Sequence, residues 1–90
     1  MAQRRRTQIQ PDFGPVKAFG LALREVRKEK GFSQEGFALD SGFDRTYISM
    51  VERGVKSPTI RALFKLADFL DVRPSELLRR TEEMLRNNKR

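Results

Sequence analysis

SQEGFALDSGFDRTYISMVERG, residues 33–54, reads as two short helices hinged at Ser41-Gly42. Ser33 is placed to cap the first, Gln34 to about Asp40, and Asp44 to cap the second, Arg45 to about Arg53. Each offers a side-chain oxygen to the otherwise orphaned first N–H groups. Gly42 stands where the chain must reverse through positive φ, and Gly54 ends the second helix. At 100° per residue, Arg45, Thr46, Ser49, Met50 and Arg53 share one arc of about 140°, and Tyr47, Ile48, Val51 and Glu52 fill the other. One face thus carries hydrogen-bonding heads and a methionine. The opposite face is apolar except for a glutamate, which needs a partner if it is buried.

The helical period extends in both directions. Upstream, Val16, Phe19, Leu23 and Val26 recur at steps of three and four from Pro15, until Gly31 closes the helix behind Lys28 and Lys30. Downstream, Pro58 and Thr59 start a fourth helix with the apolar stripe Ile60, Leu63, Ala67 and Leu70. Pro74 suits the first position of a fifth, whose apolar residues are Leu77, Leu78, Met84 and Leu85. Gly36, inside the second helix, costs roughly 1 kcal/mol relative to alanine, so tertiary packing must hold that helix. No segment alternates with a two-residue period. The expected architecture is all-α: a basic arm over 1–14, a five-helix domain over 15–86, and a polar basic tail over 87–90 that frays.

Ninety residues allow one domain with a modest core. There is no cysteine and no histidine, which removes disulfides, thiolate metal sites and the commonest general base. No phosphate-cradling glycine loop or acid/base carboxylate pair stands out, so neither an enzyme, a metal nor a cofactor is expected. No apolar run is long enough to span a membrane, and a cytoplasmic protein, nucleoid-associated when bound, is the expectation. The net charge of +7 lies largely at the ends. Residues 1–12 hold three arginines and one aspartate, and residues 79–90 five bases and two acids, whereas 13–78 holds eleven bases and nine acids. Basic ends favour a polyanionic partner; by charge alone they equally serve solubility.

Two capped helices around a glycine form the pattern of a helix-turn-helix. The first must cross the second without filling its groove-facing side, and Ala38 supplies the small side chain for that crossing. Phe37, Ile48 and Val51 face the core. The second helix must present short or hydrogen-bonding side chains to a major groove about 12 Å wide. The stretch SQEGFALDSGFDRTYISMVERGVKSPTI, with FGLALREVRKEKGF before it and LFKLADFLDVRPSELL after it, resembles the Cro/C1-type (Xre-type) helix-turn-helix family over about two-thirds of the chain. That resemblance implies a five-helix, lambda-repressor-like domain. It implies a double-stranded DNA operator as partner, bound mostly by two-fold dimers on inverted repeats.

The family's residue roles carry over by position. Gln34 matches a glutamine that contacts a backbone phosphate and can brace a base-reading side chain. Arg45, Thr46, Ser49 and Met50 match groove-facing positions. Arg45 suits guanine O6 and N7; its alternatives are a phosphate or an ion pair with Asp44 or Glu52. Thr46 and Ser49 either touch bases or are merely small enough to fit. Met50 either packs on a thymine methyl or fills the groove's edge. Tyr47 either gives its hydroxyl to a phosphate or packs at the core edge, while Arg53 and Lys56 flank Gly54 in the loop that rides the backbone. Arg27 matches the arginine that pairs with the family's glutamate, here Glu52. The stretch from Ser33 to Arg53 is itself net negative, with four acids and two bases. Affinity must therefore come from aimed groups, with Arg4, Arg5 and Arg6 of the arm as a further contribution, one option being a minor groove.

Leu39 sits where the family commonly has polar residues, and Phe64 and Phe69 add aromatic bulk. With Leu78, Met84 and Leu85 some of these form a surface for a homodimer through helix five and its neighbours, or they only complete a small core. The expected function is a sequence-specific transcription regulator, with the small controllers of restriction–modification systems as the nearest type. The alternative is an antitoxin or phage-type repressor that also binds a partner protein such as a toxin.

Overall fold

Pro15 fits the first turn of α1 (Pro15–Glu29), where its missing N–H is one of the helix's orphans and its fixed φ is already helical. The protein, a computed structural model that describes residues 13–88, continues with α2 (Gln34–Ser41), α3 (Arg45–Glu52), α4 (Ile60–Leu70) and α5 (Pro74–Asn88). The two expected caps form: Ser33 Oγ accepts from Gly36 N at 2.9 Å and Asp44 Oδ1 from Thr46 N at 3.2 Å; the structure adds a third, Thr59 Oγ1 accepting from Ala62 N at 3.1 Å. Gly42 takes φ +82° and returns its N–H to Ala38 O, which turns the chain from α2 into α3.

α1 lies against α3 on one side and α5 on the other, and α2 crosses α3. Leu23, Val26, Phe37, Ile48, Val51, Leu66, Leu70 and Leu77 are fully buried where these helices meet. Phe32, Phe37 and Phe69 make a triangle of tilted rings with centroids 5.4–5.8 Å apart. Phe69 therefore packs inward, while Phe64 remains exposed.

One expectation needs correction. Ile60 is 71% exposed. The buried set of α4 is Ala62, Leu63, Leu66, Ala67 and Leu70, centred about 90° from Ile60 on the wheel. The three-residue step from Ile60 to Leu63 placed Ile60 at the edge of the stripe. α5 extends through Asn88.

Charge fastens α5 to α1. Arg80 Nη1 donates to Glu25 Oε1 at 3.0 Å and Glu29 Oε2 at 2.7 Å, Nη2 donates to Glu29 Oε1 at 2.9 Å, and Nε to Glu76 Oε2 at 3.1 Å. Hydrogen bonds from Arg79 and Arg80 pull the Glu76 carboxyl from 4.5 to about 2, and a hydrogen bond from Arg80 lowers Glu29. These carboxylates bind protons more weakly in the folded state. Their contribution is thus present above the ordinary carboxylate value of 4.5 and is lost as pH falls below it, for Glu76 toward about 2. Urea unfolding across that window is expected to show a steeper pH dependence for the wild type than for Arg80→Met; equal slopes would contradict the clamp.

Candidate nucleic-acid interface

α3 separates its two faces cleanly. Ile48 and Val51 are buried, Arg45, Thr46 and Arg53 are exposed, and Tyr47, Ser49 and Met50 are half-buried. Arg45 enters none of the ion pairs among the described residues. Arg53 Nε donates to Ser49 Oγ at 3.3 Å, one turn back, so two members of the polar arc already hold each other. The Tyr47 ring stacks on Phe43 with centroids 5.3 Å apart and planes 13° from parallel, and Lys65 Nζ stands 5.3 Å from the Phe43 centroid. Burial raises the Tyr47 phenol above its ordinary value.

Glu52 is the one carboxylate of α3, and it is 5% exposed. Arg27 Nε donates to its Oε2 at 2.6 Å and Nη2 to its Oε1 at 3.0 Å, a two-pronged pair. Arg27 Nη1 donates to Phe32 O at 2.7 Å, which ties the α1–α2 turn to the same guanidinium. Gln34 Nε2 adds a third donor to Glu52 Oε1 at 2.9 Å. α1, the start of α2 and the end of α3 thus meet on one carboxylate. The Gln34 link is absent from the sequence reading, which gives Gln34 a phosphate and a base-reading neighbour; its second amide hydrogen is not used in this bond.

The backbones of α1 and α3 approach closely at Gly20, where a Cβ would lie 2.3 Å from Val51 O and 2.6 Å from Glu52 O. Val55 N and Lys56 N both donate to Met50 O, which folds the following loop back onto α3 and leaves Lys56 exposed beside it. Arg4, Arg5 and Arg6 lie outside the described residues. Among the described residues no group of three or more His, Cys, Asp or Glu is arranged to hold a metal ion, and no helix is long and apolar enough to cross a membrane.

The helix-turn-helix family matches residues 23–77, from within α1 to the start of α5. The chain belongs to the helix-turn-helix family, in its Cro/C1 type. Its helix-turn-helix relatives are transcription regulators, among them controllers of restriction–modification systems. The HTH-type transcriptional regulator y4dJ of Sinorhizobium fredii is 40% identical over 67 residues, 74% of this chain and 87% of that protein. The restriction–modification controller protein C.AhdI of Aeromonas hydrophila is 47% identical, with 69% of this chain and 94% of that one covered at a TM-score of 0.66. The controller C.Esp1396I, solved as a tetramer with its natural 35 base-pair operator, is 30% identical, with 79% and 93% covered at a TM-score of 0.71.

Proposed function

We propose that this regulator inserts α3 into the major groove of a duplex operator and acts as the controller of a restriction–modification system. The observation that carries the reading is the sequestration of Glu52. With that carboxylate turned into the protein, the exposed face of α3 holds arginines, hydroxyls and a methionine and sets no negative charge of its own against a polyanion. Arg45, Thr46, Ser49 and Met50 read base edges, Arg45 with its fork on a guanine. Gln34, Tyr47, Arg53 and Lys56 hold the sugar–phosphate backbone and set the register, with Arg4, Arg5 and Arg6 as additional backbone cations. The protein performs no catalysis and works in the cytoplasm on nucleoid DNA.

Two copies pair through α5 and its neighbours on an inverted repeat. The support is an apolar surface at the α4–α5 edge: Ile60, Phe64 and Leu78 are exposed, with Met84 and Leu85 half-buried. A domain this small gains specificity from two half-sites.

Selection of binding sites from random duplexes tests the reading, and is expected to return a two-fold symmetric sequence. Against that operator, Arg45→Ala is expected to weaken binding about 10- to 100-fold, the worth of one two-pronged guanine contact. On random duplex the loss is expected to be small. Equal losses on both would contradict base readout by Arg45.

A further inference from the structure

Round the exposed side of α1 the charges are sorted. Gly20 and Arg27 form the edge that touches α3, and Glu25 and Glu29 the edge bound by Arg80 of α5. Between them lie Lys17, Arg24 and Lys28, about 70° round the helix from the α3 contact and spread along about 16 Å of its axis. All three are exposed, and none takes part in the ion pairs among the described residues. Arg80 removes both acids that could have neutralised this row from within its own helix.

The row also adjoins two of the groups proposed above to hold the DNA backbone. At its N-terminal end, a Cβ on Gly54 would come within 2.8 Å of Lys17 Cα, so Lys17 stands directly against the loop that leads to Lys56. At its other end, Lys28 follows Arg27, which shares the Glu52 carboxylate with Gln34 at the start of α2. That loop and Gln34 are two of the backbone contacts assigned above. From this we infer that Lys17, Arg24 and Lys28 form a second line of phosphate contacts on α1, outside the helix-turn-helix motif. The row supplies positive charge that the motif lacks, with four acids to two bases between Ser33 and Arg53. Long cationic side chains without acceptors can hold phosphate oxygens but cannot distinguish one base from another through them.

The inference rests on the duplex-binding function, and the test separates the two. Binding of the full chain is measured from low to moderate salt on the selected operator and on random duplex. The proteins are the wild type, the triple variant Lys17→Gln/Arg24→Gln/Lys28→Gln, and the control Arg73→Gln/Arg86→Gln, which removes exposed charge at the two ends of α5 that enters none of the ion pairs among the described residues. Each lost phosphate contact lowers the slope of log affinity against log salt by about 0.9. The triple variant is expected to lose about 2–3 units of slope for each copy bound, hence about 5 for a dimer on its operator, and to weaken on operator and random duplex by the same factor per copy bound, with an unchanged melting temperature. The control is expected to lose far less slope per charge. A wild type that binds its operator together with a triple variant of unaltered slope would overturn the inference and leave the duplex-binding function standing. So would a control that loses as much per charge. A wild type that binds no duplex would overturn both.

Discussion

Glu52→Ala is expected to lower the unfolding free energy by about 3–5 kcal/mol, the cost of leaving a buried charge without its partner. Arg27 and Glu52 have side chains only 7% and 2% exposed, so water cannot replace the lost carboxylate without opening the junction of α1 and α3. In a domain of this size each kcal/mol moves the melting temperature by about 4–8 °C, which makes the shift easy to read in a thermal melt. Glu52→Gln should recover little. Arg27 presents Nε and Nη2 to the two carboxylate oxygens and Gln34 presents its amide, so a glutamine must point an NH2 group at one of those donors. The double variant Arg27→Met/Glu52→Leu is expected to melt closer to the wild type than Glu52→Ala, because apolar groups of similar bulk remove both charges together. A melting temperature unmoved by Glu52→Ala would show that the pair contributes nothing to stability.

Gly20→Ala is expected to destabilise the protein even though alanine is the better helix former by about 1 kcal/mol. Its methyl would stand 2.3 Å from Val51 O and 2.6 Å from Glu52 O. The obstacle is backbone, which cannot swing aside as a side chain can. Overpacking costs about 1–3 kcal/mol and occasionally more, and an obstruction by main chain belongs at the upper end, leaving a net loss of about 2 kcal/mol. Urea denaturation measures it directly. Since α1 must move away from α3 to admit the methyl, operator affinity should fall with stability. A stabilised variant would mean that the two helices pack less tightly than this geometry requires.

Local signals carried most of the fold. The capping oxygens of Ser33, Asp44 and Thr59, the reversal at Gly42 and the prolines at 15 and 74 mark helix ends within a residue or two, because each acts on its own neighbours. Ile60 shows the limit. A stripe read at steps of three and four admits residues on its border, and only the packing of α4 against the other helices decides which side is covered. The odd position of Glu52 is visible as a carboxylate on an apolar face, and the family resemblance supplies Arg27 as its partner. Gln34 as a second donor is not legible, since nothing in an eighteen-residue separation says where an amide will point. The stack of Phe43 on Tyr47 has a signal, the four-residue spacing, but the same spacing would serve two unrelated core positions. Nothing in the sequence singles out Gly20; its role as the close approach to α3 appears only once the neighbouring carbonyls are located.

The clamp between Arg80 and the carboxylates of Glu25 and Glu29 joins residues 51 and 55 positions apart, and this has a consequence for the order of synthesis. A ribosome releases α1, α2 and α3 first, so the reading helix is present well before the helix that braces its support. Until α5 emerges, α1 lacks the neighbour that covers one of its flanks and holds its acids. Without Arg80 to hold them, those acids would be free to pair with Lys17, Arg24 and Lys28 beside them. A nascent chain halted before Pro74 would carry α3 complete but leave α1 without its brace, so the support of α3 would become firm only once α5 had formed.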